Sequence, residues 1–159
     1  MTKIWENNID EFIKFSNQLG VKMLMVGGGA VNFHGYQRHS ADVDFWIDVS
    51  PDNMKKLVKV FNKMGYEIDD FPQKVLDKKQ NISIKFSPVD INLELITNFS
   101  VNKSFDDALK DSVEVNVNGE TFLRWRVLSL DDLITSKIKA GRAKDLLDIQ
   151  ELKQINKID

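Results

Sequence analysis

Apolar positions recur along this chain at two periods, and each change of period marks the border of an element. Ile9, Phe12, Ile13, Ser16 and Leu19 keep helical spacing and Gly20 follows, which predicts an amphipathic helix over Ile9 to Leu19. The run Val21 to Val26 predicts a buried strand. It ends in Gly27-Gly28-Gly29, after which Ala30 to His34 predicts a short helix closed by Gly35. Asp42-Val43-Asp44-Phe45 alternates acidic and apolar side chains before turning apolar toward Val49, the period of a strand. Pro51 and Asp52 open a further helix with Met54, Leu57, Val58, Phe61 and Met64 on one face and Gly65 as its stop.

The second half continues the alternation. Ile82 to Phe86 and Val89 to Leu95 read as strands parted by Ser87-Pro88, the second carrying Asp90, Asn92 and Glu94 on one side. Val113 to Val117 and Thr121 to Val127 flank Asn118-Gly119, a dipeptide suited to the tight type I′ turn of a hairpin. Ser129-Leu130-Asp131-Asp132 resembles a capping sequence, so a helix is predicted through Ala140 with Gly141 as its stop, and another from Lys144 to Ile155. The expected fold is therefore α/β (α+β): a small mixed sheet bearing aspartates on one face, flanked by helices, with a C-terminal helical extension.

Composition narrows the classes. With 159 residues, and no repeat, low-complexity tract or linker, the chain reads as a single domain over 1–159. Hydrophobic residues at 42% and charged residues at 29% are the balance of a folded globular protein. The count of 0 cysteines excludes disulfides, thiolate zinc sites and a thiol nucleophile. A net charge of −2 is not the strongly basic balance of a general nucleic-acid binder. Residues Met1 to Asn7 lack the apolar core of a secretory signal, and no apolar run approaches the roughly 20 residues of a membrane span, so a cytoplasmic location and no membrane partner are expected.

The chemistry concentrates between Met25 and Phe45. A glycine turn after a buried strand lets backbone approach a ligand closely, and amides opening the next helix can receive phosphate oxygens. Asp42 and Asp44, two apart on a strand, leave the same face and suit a divalent cation held by hard oxygen ligands. A pair of ions about 4 Å apart requires one more carboxylate. Asp90 is the first candidate, as metal ligand or as the base taking the nucleophile's proton, and Glu94 the fallback.

These residues resemble a known signature. An apolar residue, Gly27-Gly28, residues 29 to 41, then Asp42-Val43-Asp44 is similar to the motif of polymerase-beta-type nucleotidyltransferases. The wider pattern Gly27-Gly28-x-Ala30, His34-Gly35, Arg38, Ser40, Asp42, Asp44, Val89-Asp90 and Arg142-Ala143-Lys144-Asp145-Leu146-x-Asp148 resembles small bacterial nucleotidyltransferases of the AbiEii/AbiGii toxin type. The resemblance implies the nucleotidyltransferase fold and Mg²⁺-dependent transfer of a nucleoside monophosphate from a nucleoside triphosphate to an acceptor, with pyrophosphate released. Two Mg²⁺ ions are implied, with Mn²⁺ as a substitute. By position Gly27 and Gly28 line the triphosphate and Asp42, Asp44 and Asp90 serve as metal ligands and catalytic acids; Arg38, Ser40 and Lys137 are further candidates for contact with the nucleotide. Ser40 stands where many relatives carry Thr, and Asn92 and Glu94 follow Asp90 where the family often runs Asp-Leu-Leu. The acceptor implied is an RNA end such as a tRNA, a protein side chain or a small molecule, and toxin relatives imply an antitoxin partner.

Blander roles stand beside these. His34 suits helix packing, Arg38 can brace the turn before Asp42 as well as touch phosphate, and Lys137, Arg142 and Lys144 suit a solvated face. Asp145 and Asp148 are expected to cap or to pair with basic neighbours, and Trp5, Trp46 and Trp125 to belong to the core or its rim. The alternative to an enzyme is a catalytically silent nucleotide-binding or protein-interaction module that kept the fold.

Overall fold

The computed structural model describes residues 7–40, 42–86 and 91–159. In chain order the elements are α1 (Asn7–Leu19), β1 (Met23–Val26), α2 (Gly27–Phe33), β2 (Asp42–Ile47), α3 (Pro51–Lys63), α4 (Gln73–Leu76), β3 (Ile82–Ile84), β4 (Asn92–Ile96), α5 (Phe105–Asp111), β5 (Val113–Asn116), β6 (Arg124–Val127), α6 (Leu130–Ala140) and α7 (Ala143–Ile155). The strands form one mixed sheet in the order β3-β4-β2-β1-β6-β5. β1 runs antiparallel to β2 and parallel to β6, β2 runs parallel to β4, and β3 and β5 close the edges as antiparallel partners. The expected mixed sheet flanked by helices, with a helical extension at the C-terminal end, is the architecture found.

Register assigns the faces. Val26 lies opposite Asp44, and Asp42, Asp44 and Trp46 lie opposite Asn92, Glu94 and Ile96. Since side chains alternate along a strand, these residues share one face, and Met25, Val43, Phe45, Leu93 and Leu95 share the other. The second face is sealed by α1 and α3: the Phe12 ring lies 6.1 Å from Phe45 and 5.8 Å from Phe61, with Phe12 and Phe45 fully buried. Each such ring contributes roughly 2–3 kcal/mol through burial. Pro51 at the first turn starts α3 with its φ already set. Asn53 then ties the helix to the sheet, accepting from the Lys22 amide at 2.7 Å and donating to the Lys22 and Asp48 carbonyls.

The aspartate face is also covered. Two residues along from Asp44, Trp46 packs against Phe99 at 5.3 Å and against Phe105 of α5 at 4.9 Å. At the ends of β1 and β2, Gly27 and Asp44 line one opening and Ser40 and Asp42 another.

Three expectations change. The strand expected from Val89 begins its pairing at Asn92, and Asp90 lies outside the described residues. The hairpin expected to turn at Asn118-Gly119 is instead closed by Asn116 opposite Arg124, with residues 117–123 as a wider loop. Leu123 turns into the core there, and Phe122 before it takes a left-handed φ of 64°. The third change is two short helices, α4 and α5, that the apolar pattern does not announce. Among the described residues no helix is long and apolar enough to cross a membrane.

Candidate functional site

The site is built where β1 ends. Gly27 has φ +62°, a backbone state that glycine alone adopts freely, and a Cβ there would overlap Oδ2 of Asp44. A Cβ on Gly28 would overlap Oγ of Ser40 and come within 2.7 Å of its Cβ. The close approach that these glycines permit is thus made by two of the chain's own side chains. Ser40 donates its hydroxyl to the Asp42 carbonyl at 2.9 Å, fixing the entry into β2. Gly27 is thus set against Asp44 and Gly28 against Ser40, whose hydroxyl ties it to the Asp42 backbone.

Asp44 is electrostatically unusual. Its carboxyl is raised from 3.8 to about 6, first by burial and then by the negative charges of Asp42 and Glu94, against the opposing pull of Lys137 and Lys144. Glu94, paired with Asp44 across β2 and β4, accepts the Ser83 hydroxyl at 2.5 Å. Beside Asp42, the side-chain oxygen of Asn92 is buried and has no hydrogen-bond partner among the described residues.

The basic residues are less available than their spacing suggests. Lys137 is 6% exposed, donates to Asp145 at 3.3 Å and forms an ion pair with Asp148 at 3.0 Å. Arg38 grips Asp148 with Nε at 2.9 Å and a terminal nitrogen at 3.0 Å, while its amide donates to Asn32 Oδ1. Arg142, with a side chain 60% exposed, clamps Asp145 from the first turn of α7 through its backbone amide, Nε and a terminal nitrogen. Burial works against the charge of Asp145, but hydrogen bonds from Arg142 and Lys137 outweigh it and hold that carboxyl below its usual range. Asp145 and Asp148 pair with basic neighbours as expected, yet two of the three partners come from other elements, α6 and the loop before β2. That reach has no local signal in the sequence.

His34 ties two elements together. Its Nε2 donates to the Leu128 carbonyl at 2.7 Å, which joins the end of α2 to the residue after β6.

A narrow cleft opens between these parts, lined by Val26, Gly27 and Asp44 on the sheet side and by Lys137 and Arg142 on the helical side. The expectation of two Mg²⁺ ions, with Mn²⁺ as a substitute, is corrected: among the described residues no group of three or more His, Cys, Asp or Glu side chains is placed to hold a metal ion. The physical reason lies in the carboxylates. Glu94 is turned to Ser83, and Asp145 and Asp148 are committed to Lys137, Arg38 and Arg142. Asp90, expected to complete the set, lies outside the described residues.

A family model described as a nucleotidyltransferase of unknown function (DUF6036) matches residues 7–159. No curated protein matches the chain.

Proposed function

The chain belongs to the DUF6036 family of nucleotidyltransferases, and on that premise we propose that it moves a nucleoside monophosphate from a nucleoside triphosphate to an acceptor hydroxyl or amine. The observation that carries this reading is the cleft in which Asp44 stands across from Lys137 and Arg142 beside the Gly27 turn. A polyphosphate needs cationic donors, and an attacking oxygen needs an acid–base group that ionises near neutrality; both are present within one small opening. In the proposed step the acceptor oxygen or nitrogen bonds to the α-phosphorus and the bond to the bridging oxygen breaks. Pyrophosphate leaves, and a carboxylate takes the acceptor's proton. Asp42, Asp44 and Asp90 are the proposed catalytic acids. Gly27, Gly28, Ser40, Arg38 and Lys137 are the proposed triphosphate side, with Arg38 and Lys137 held in place by Asp148.

Incubating the folded protein with cell extract and each labelled triphosphate, followed by mass spectrometry, tests the reading by showing which molecule gains a nucleotide. Transfer that disappears in Asp44→Asn supports it. No pyrophosphate from any triphosphate with any acceptor pool overturns it. The resemblance to AbiEii/AbiGii-type toxins adds growth arrest on expression, relieved by a neighbouring gene product, as a finer test of biological role.

A second reading is favoured by one observation: Arg38 and Lys137, the basic groups proposed for phosphate, are already neutralised by Asp148 and Asp145. A silent nucleotide-binding or protein-interaction module would have that character, and its biological effect would survive Asp42→Asn and Asp44→Asn.

A further inference from the structure

A second opening lies beside Asp42, two residues along β2 from Asp44 and its cleft. Its volume is about 450 Å³. That falls within the ~300–1,000 Å³ of sites that take a small organic molecule. The sheet contributes apolar lining, including Trp125 of β6, and α2 adds Phe33, whose ring is 43% exposed. The polar side chains are Asn32, Gln37, Ser40 and Asp42. Gln37 Nε2 donates to the Asn32 carbonyl at 2.9 Å, and Asn32 Oδ1 accepts from the Arg38 amide at 3.0 Å, so this rim is braced by its own hydrogen bonds. Among the described lining residues Asp42 is the only charged one, and none is Lys or Arg.

That charge pattern selects among acceptors. An RNA end brings phosphates with it, and protein contacts to nucleic acid go in large part to phosphate and sugar, with Lys and Arg neutralising the charge. A pocket whose one charge is a carboxylate repels phosphate, and no cation among its described residues offsets the repulsion. A neutral polar molecule meets no such penalty, and an amine is drawn both to a carboxylate and to an aromatic ring. The placement also suits transfer. Residues two apart on a strand are separated by about 7 Å, so a group held at Asp42 stands within reach of a phosphate beside Asp44.

We propose that this pocket seats the acceptor, and that the acceptor is a small organic molecule without phosphate, neutral or cationic, presenting a hydroxyl or amine beside Asp42. This rests on the nucleotidyltransferase reading and deepens it by choosing among an RNA end, a protein side chain and a small molecule. In the step, the acceptor oxygen or nitrogen bonds to the α-phosphorus and the bond to the bridging oxygen breaks. Pyrophosphate leaves with that electron pair, and the acceptor's proton passes to a carboxylate and on to solvent.

The test supplies each α-labelled triphosphate to the protein with three separated pools from cell extract: total RNA, protein, and a small-molecule filtrate cleared of phosphate compounds by anion exchange. Label is expected on a compound of the filtrate whose mass has grown by one nucleoside monophosphate. Its transfer should change less than about threefold between about 50 and 200 mM salt, where an acceptor bound through several phosphates loses roughly a thousandfold or more in affinity. Phe33→Ala and Gln37→Ala, both at exposed positions, are expected to raise the filtrate concentration for half-maximal transfer about tenfold, with KM for the triphosphate and the melting temperature unchanged. Label on RNA or on protein overturns the inference and leaves the nucleotidyltransferase reading standing. Transfer to the filtrate that neither variant alters does the same. No label in any pool and no pyrophosphate overturn the parent reading together with it.

Discussion

Asp44 is held at a cost to stability. A carboxyl whose folded pKa is raised binds its proton more tightly in the native state than in the unfolded chain, so stability falls as pH rises from 3.8 through about 6. Above that window the full penalty applies; below it there is none. Asp44→Asn is therefore expected to be more stable than the wild type at pH 7.5, by on the order of 1–2 kcal/mol once partial solvent screening is allowed for. The advantage should vanish at pH 3.5. Urea denaturation at the two pH values checks both the sign and the window, and a less stable variant at pH 7.5 would contradict it. Gly27→Ala makes the opposite point: left-handed backbone and overlap with the Asp44 carboxylate act together, and a loss of about 1–3 kcal/mol in the same measurement is expected. Much of this scale was legible in the sequence, since Gly27, Asp42 and Asp44 announce themselves by type and spacing. The raised pKa was not, because three of its four charged causes lie far along the chain: Glu94, Lys137 and Lys144 have no sequence proximity to Asp44.

Among elements, the buried ionic cluster decides how α6 and α7 sit on the site. Asp148, 2% exposed, receives both Lys137 and the Arg38 fork. Removing one partner of a buried pair leaves an uncompensated charge, at about 3–5 kcal/mol, whereas an exposed pair is worth under about 1 kcal/mol. Asp148→Ala should accordingly lose at least about 3 kcal/mol in chemical denaturation, and Asp106→Ala, whose pair with Lys22 is exposed on both sides, less than about 1 kcal/mol. Equal losses would show that the cluster does not behave as a buried pair. The same scale shows where periodicity stops being informative. α1, α3 and α6 are long enough to display an apolar stripe, but α5 has 7 residues and buries only Ala108 among them, so its pattern is indistinguishable from loop. Its local marks are Ser104, which caps it by accepting from the Asp107 amide, and the acidic Asp106 and Asp107 in its first turn.

Across the whole molecule, class and element order follow from alternating patterns, whereas the neighbour relations of the sheet do not. Nothing in residues 23–26 or 124–127 says that β1 and β6 adjoin; only competition among all strands for partners settles it. The cleft inherits that dependence, since the sheet supplies Asp44 and the C-terminal helices supply Lys137 and Arg142. A ligand bound there stabilises the entire fold by mass action, by about 2.7 kcal/mol at a hundredfold excess over Kd. Any nucleoside triphosphate at that excess should raise the melting temperature by several degrees in a calorimetric scan.

The parallel seam between β1 and β6 also has a consequence for biosynthesis. As the ribosome extrudes the polypeptide, β1 meets β2 almost at once, but its other flank keeps unsatisfied amides and carbonyls until residues 124–127 emerge. A nascent or prematurely terminated product lacking them presents an open β-edge, the kind of surface that recruits chaperones or seeds aggregates.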